Sequence, residues 1–109
     1  MNFDVKTISV FERQAKRLLK KFPSLKSELQ TLVDQLKQNP DKGTSIGHDC
    51  FKIRLAIASK GKGKSGGSRV ITHVLVKDHT IYLLAIYDKS DIENLTDNEV
   101  IELIKMIPA

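Results

Sequence analysis

The sequence predicts an α+β domain: a helical hairpin packed on one face of a small antiparallel sheet, in the order β-α-α-β-β-β-α. Three observations carry that reading. Two stretches before Pro40 repeat apolar side chains at helical spacing and are separated by Pro23. From Phe51 onward the apolar period drops to two and recurs in two further runs joined by a short turn. A helix-start signature and renewed helical spacing then close the chain. With 109 residues and no linker or repeat, residues 1–109 form one domain around one core.

Phe3 to Val10 alternates loosely and reads as a first strand. Ser9 and Glu12 make a capping box that opens a helix, with Phe11, Ala15, Leu18, Leu19 and Phe22 on one stripe. Pro23 ends it. A second helix begins near Ser24, carries Leu25, Leu29, Leu32, Val33 and Leu36, and stops at Asn39-Pro40. Asp41 to Asp49 is a polar loop. In the strand that follows, Phe51, Ile53, Leu55 and Ile57 share one face, and Lys52, Arg54 and Ala56 share the other, which leaves a basic open face. Arg69 to Lys77 and Thr80 to Tyr87 are more apolar and therefore more central. Thr96 and Glu99 form a second capping box, and Val100, Ile101, Leu103, Ile104 and Ile107 continue a closing helix.

Charge and composition limit the function classes. The net charge is +5, with bases in excess up to Tyr87 and acids in excess after it. A basic body with an acidic end suits a polyanion partner such as nucleic acid, and the acidic end is expected to face away from it. The single cysteine cannot pair within the chain, which fits a reducing compartment. No apolar run approaches the roughly 20 residues of a membrane span, and Met1 to Val10 lacks a signal-peptide core. The expected location is the cytoplasm.

Ser59 to Arg69 (SKGKGKSGGSR) holds Lys60, Lys62, Lys64 and Arg69 among four glycines, with no acid. Gly63-Lys64-Ser65 imitates part of a P-loop, but Ala58 stands where the first glycine of that pattern belongs, and a strand follows rather than a helix. Nucleotide binding is rejected. Two readings remain: a solvated loop between strands, and, favoured by the charge density, a basic clamp whose glycines let a phosphate backbone approach closely.

Phe51-Lys52-Ile53-Arg54, the lysine-glycine segment through Arg69-Val70-Ile71, and Tyr82 to Lys89 (YLLAIYDK) resemble the RelE/ParE superfamily of type II toxin–antitoxin toxins. Within it they are most similar to a HigB-like branch. The resemblance runs from about Phe51 to Leu95, while the helical hairpin agrees in element order. It implies a RelE-like fold and a ribosome-dependent endoribonuclease, an mRNA interferase that cuts mRNA in the ribosomal A site, inhibits translation, and is silenced by a cognate antitoxin. Lys52, Arg54, Arg69 and Tyr87 match catalytic positions, and Lys60, Lys62, Lys64 and Lys89 are expected to bind RNA. RelE has a tyrosine in its C-terminal segment. This chain has none after Tyr87, so that role is vacant or falls to Tyr87.

Such a reaction needs no cofactor and no metal if the 2′-hydroxyl attacks the adjacent phosphate, giving a 2′,3′-cyclic phosphate and a 5′-hydroxyl. It needs a proton acceptor, a cation near the developing charge and a proton donor. Arg54 and Arg69 suit the charge role, Lys52 is a candidate base, and Tyr87 could stack on a nucleobase or donate a proton. His73 shares the parity of Arg69, yet its apolar neighbours make a structural role the expectation. His48 and His79 lie in loops, and Cys50 reads as a packing residue. Scattered histidines and one cysteine give no metal-ligand spacing. The resemblance leaves two alternatives: a ParE-like inhibitor of DNA gyrase, and a non-catalytic RNA-binding or decayed toxin.

Overall fold

The computed structural model describes residues 2–60 and 66–108. Its elements are β1 (Asp4–Thr7), α1 (Ser9–Lys21), α2 (Leu25–Gln38), β2 (Thr44–Gly47), β3 (Cys50–Leu55), β4 (Ser68–Leu75), β5 (Thr80–Asp88) and α3 (Asp97–Lys105). Short 3₁₀ turns at Ala58–Lys60 and Val76–Asp78 follow β3 and β4. The strands form one sheet in the order β1-β5-β4-β3-β2. The α+β class and the helical hairpin agree with the sequence reading. Among the described residues, no helix is long and apolar enough to cross a membrane.

Three details differ from the sequence reading. The loop expected from Asp41 to Asp49 contains β2, which pairs antiparallel with β3 and turns back through Gly47, His48 and Asp49, all at positive φ. The polar composition hid it because an edge strand buries little. Second, β1 runs parallel to β5, so the sheet is mixed at one edge. Third, Ser9 is the first helical residue of α1 and caps nothing. The Glu12 carboxylate instead accepts from the Thr7 hydroxyl, 2.5 Å away. The capping box at Thr96 and Glu99 is present, with both reciprocal bonds made.

The apolar stripes meet as their spacing requires. Phe11, Ala15 and Leu18 of α1 and Leu25, Leu32 and Leu36 of α2 are buried with Ile53, Val70, Ile81, Leu84 and Ile86 of the sheet. The β1–β5 pairing ends at Leu83. Beyond it the Ile86 N–H lacks a strand partner on that side and donates to Gln14 Oε1 of α1 at 3.0 Å. A buried backbone donor is thus satisfied where the sheet edge passes under a helix. Leu84 is the extra residue of a bulge, since Ile71 pairs with Ala85 and Thr72 with Leu83.

The turn that follows β3 is fastened to the hairpin and to β5. Ala58 N–H donates to Glu28 Oε2 (2.8 Å), and Ser59 N–H donates to Ser24 Oγ (2.9 Å). Lys60 Nζ donates to Asp88 Oδ1 at 2.5 Å; the Asp88 side chain is buried and that of Lys60 is half-buried. Burial alone would raise the Asp88 pKa, but hydrogen bonds from Lys60 and Ser90 outweigh it and hold the carboxyl at about 2.

Two stability predictions follow from this packing. Leu36, fully buried, costs roughly 2–5 kcal/mol when cut to alanine, whereas Val76→Ala, at a position 68% exposed, changes stability by less than about 0.5 kcal/mol. Urea unfolding followed by circular dichroism reads both. The second concerns acid. Asp88 prefers its charged form in the folded protein, because its pKa lies below the unfolded value of 3.8. It therefore contributes about 2 kcal/mol that is fully present above roughly pH 4 and is lost as pH falls toward 2. Denaturation midpoints across that range decline more steeply in wild-type protein than in Asp88→Asn.

Candidate active site

Pairing register brings the expected catalytic residues together. Arg54 of β3 lies opposite Arg69 of β4, and Arg69 lies opposite Tyr87 of β5, so the three form a row across adjacent strands. Lys52 lies two residues before Arg54 on the same face, opposite Ile71. This face is opposite the hairpin, because Leu32 and Leu36 of α2 share the buried core with Ile53, which has the other parity. The two strands supplying Arg54 and Tyr87 never adjoin; β4 between them sets their spacing.

Depth grades along the row. Arg54 is exposed, Lys52 is half-buried, and Arg69 and Tyr87 are 3% and 4% exposed. Arg69 Nη1 donates to the Ser68 carbonyl at 3.0 Å, which folds the guanidinium against its own strand. Burial and then the like charge of Arg54 lower the Arg69 pKa, opposed by Tyr87. A guanidinium stays protonated through such a shift. Burial raises the Tyr87 pKa against the pull of the Arg69 charge, so the side chain is a neutral phenol near pH 7. Its hydroxyl is buried with no hydrogen-bond partner among the described residues. A buried hydroxyl left so costs about 1–3 kcal/mol.

Beside the row is a cavity of about 240 Å³, bounded by Lys52, Ile71 and Tyr87 of the sheet and by Asn94, Leu95 and Val100 from the α3 side. Lys52 Nζ donates to Asn94 Oδ1 at 2.8 Å. His48 Nε2 lies 2.9 Å from Asp97 Oδ1, which fastens the first turn of α3 to the β2–β3 turn. The acidic end of the chain thus lies over the face that bears Lys52, whereas the sequence reading turned it away. The reason is apolar cover: Val100 is buried and Leu95 packs against the core beneath it.

The remaining expected residues are divided. Lys60, taken from sequence as an RNA contact, is held by Asp88 with its side chain 11% exposed, and its ammonium lies 5.8 Å from the centre of the Phe22 ring. Lys89 is exposed at the end of β5, and its backbone N–H donates to the Gly67 carbonyl at 3.1 Å. Lys62 and Lys64, with the middle of the expected clamp, lie outside the described residues. His73 is buried with Nδ1 3.3 Å from Cys50 Sγ, and burial lowers its pKa. Burial and the charge of Asp49 push the Cys50 thiol up to about 11, so it is no nucleophile near pH 7. Among the described residues, no group of three or more His, Cys, Asp or Glu is arranged to hold a metal ion.

Sequence reasoning missed Asp88, Asn94 and Asp97, and left His48 as a loop residue. Asp88 left a faint signal, as an acid directly after an apolar strand and before Lys89. The others touch the site through contacts more than forty residues apart, which no local pattern records.

The family model for the RelE toxin of the RelE/RelB toxin–antitoxin system matches residues 6–108. The fold also matches two structures of the RelE toxin of E. coli. One is an arginine-to-alanine double mutant in the free state, with a TM-score of 0.63 at 17% identity, covering 99% of this chain and 100% of that one. The other is the isolated toxin, with a TM-score of 0.56 at 17% identity, covering 97% and 99%. At that identity the structures show a shared fold, and the match over residues 6–108 shows the family. The chain belongs to the family of RelE toxins of toxin–antitoxin systems.

Proposed function

We propose that this protein is a cytoplasmic mRNA interferase, a ribosome-dependent endoribonuclease that cuts mRNA in the A site by 2′-hydroxyl attack, needs no metal, and is silenced by a cognate antitoxin. The observation that carries the reading is the row of Arg54, Arg69 and Tyr87 across three strands, with Lys52 beside it. Exposed Arg54 meets the phosphate backbone first. Arg69, buried and charged, lies in a lower dielectric, where one guanidinium stabilises a developing phosphorane more than it would in water. Tyr87 is a neutral phenol with its proton uncommitted, suited to protonate the leaving 5′-oxygen. Lys52, beside the row, is the candidate proton acceptor for the 2′-hydroxyl, with Tyr87 as the proton donor. Lys62, Lys64 and Lys89 add phosphate contacts.

The depth of Arg69 and Tyr87 favours a second reading, a non-catalytic RNA-binding protein, because side chains 3% and 4% exposed meet no substrate unless the cover over them opens. One experiment separates the two. The protein is induced in bacterial cells and new 5′ ends are mapped on translated and untranslated copies of one mRNA. Cuts confined to the translated copy, and reduced roughly 10²-fold or more in folded Arg54→Ala and Arg69→Ala proteins, are the expected result. Arrest without cuts would point to another target such as gyrase, and no arrest would leave the binding reading.

Tyr87→Phe divides stability from activity. The lost hydroxyl has no partner, so the thermal midpoint is unchanged or higher. Single-turnover cleavage falls roughly 10²–10⁴-fold if the phenol is the proton donor. A wild-type rate in Tyr87→Phe would remove it from that role.

A further inference from the structure

We propose that Asp88 is a positioning residue for the basic site, and that Lys60 serves as its anchor rather than as an RNA contact. In sequence Lys60, Lys62 and Lys64 are equivalent members of one lysine-glycine repeat. In the structure Lys60 is committed to a carboxylate. Asp88 Oδ1 accepts from Lys60 Nζ (2.5 Å), from the Ser90 N–H (2.9 Å) and from the Ser90 hydroxyl (2.6 Å), and Ser90 Oγ accepts from Lys60 Nζ at 3.3 Å. A charge buried this deeply is retained only when paired and hydrogen-bonded, and Asp88 is both.

Both roots of the lysine-glycine segment converge on this point. The first root is the Ala58–Lys60 turn, tied through Glu28 and Ser24 to the start of α2 and through Lys60 to Asp88. The second is Gly67, whose carbonyl accepts from the Lys89 N–H, one residue after Asp88. Gly67 has no room for a side chain, since a Cβ would stand 2.5 Å from the Leu55 carbonyl oxygen. Asp88 also follows Tyr87 directly and pairs with Ser68, whose carbonyl holds Arg69. One buried carboxylate therefore ties the base of the segment to the strand ends that carry Arg69 and Tyr87. Its consequence for cleavage rests on the proposed nuclease function; the anchoring itself does not.

Two readouts keep these apart. Amine labelling with an N-hydroxysuccinimide ester at pH 7, read by mass spectrometry, needs no RNA. Lys60 is expected to react at least about tenfold faster in Asp88→Asn than in wild-type protein, because a half-buried, paired ammonium is withheld from the reagent. Equal labelling in the two proteins would overturn the anchor. The second readout is binding of a single-stranded oligoribonucleotide against salt. Arg54→Gln flattens the slope of log K against log salt by about 0.7, while Lys60→Gln keeps the wild-type slope. A Lys60→Gln slope flattened as much as that of Arg54→Gln would overturn the assignment by showing Lys60 on phosphate. Lys60→Gln retains a donor for Asp88 but loses the charge, so its slope is read on protein that circular dichroism shows folded. Equal labelling of Lys60 and exposed Lys89 in wild-type protein would overturn the anchor without any variant.

For positioning, folded Asp88→Asn is expected to lose roughly tenfold or more in single-turnover cleavage with RNA affinity within about twofold, and Lys60→Arg to keep the rate. A wild-type rate in Asp88→Asn would overturn the positioning role. Failure of wild-type protein to bind RNA, with Lys60 labelling still dependent on Asp88, would overturn the nuclease reading and leave the anchor standing.

Discussion

The hydrogen-bonded ladder that holds β4 between β3 and β5 is the constraint on which the rest depends, because side chains alternate faces with a period of two. Slipping β4 by one residue against its neighbours would exchange Arg69 for Val70 or Ser68 and bury a guanidinium under the hairpin. The register is held from both sides. Val70 is buried under the hairpin and Ile71 on the opposite face, so neither face of β4 tolerates the exchange. The bulge at Leu84 absorbs the single mismatch in the ladder, in the stretch between Tyr87 and the β1 pairing. Beyond the bulge, the row of Arg54, Arg69 and Tyr87 stays in register.

Charge is distributed across that row by depth rather than by number. A lysine or arginine on an exposed strand is screened by water and ions until bound RNA displaces them. Arg69 differs because the sheet and its neighbours remove water from around it, while the Ser68 carbonyl supports part of its donor set. The same burial opposes ionisation of Tyr87, so a permanent cation and a neutral acid stand in adjacent strands. Environments that push neighbouring titratable groups in different directions are how a single fold supplies distinct roles to similar side chains.

The basic face is bounded by contacts of very different strength. On one side, α3 is held by the exposed His48–Asp97 pair, the Lys52–Asn94 bond and the burial of Val100. On the other, the buried Lys60–Asp88 pair and the bonds through Ser24 and Glu28 bind sheet and hairpin together. Exposed pairs contribute little, whereas breaking a buried one is costly. The α3 boundary is therefore the softer of the two, and the turn after β3 belongs to the rigid part of the domain.

Periodicity in the sequence was enough to identify both hairpin helices, the strands around Ile53, Ile71 and Leu84, and the closing helix, since each buries one regular face. Parity alone also placed Lys52 and Arg54 on the face opposite Ile53. β2, the parallel pairing of β1, and the deep burial of Arg69 and Tyr87 were not legible, because each depends on which element lies alongside. The clearest case is Lys60: its neighbours Ser59 and Gly61 give no sign that it pairs with a carboxylate 28 residues away. Sequence determines which side chains alternate and which turns can form, because those preferences are local. Only tertiary structure decides which charge is screened, which is paired and which is kept from water, because those depend on neighbours brought together by folding.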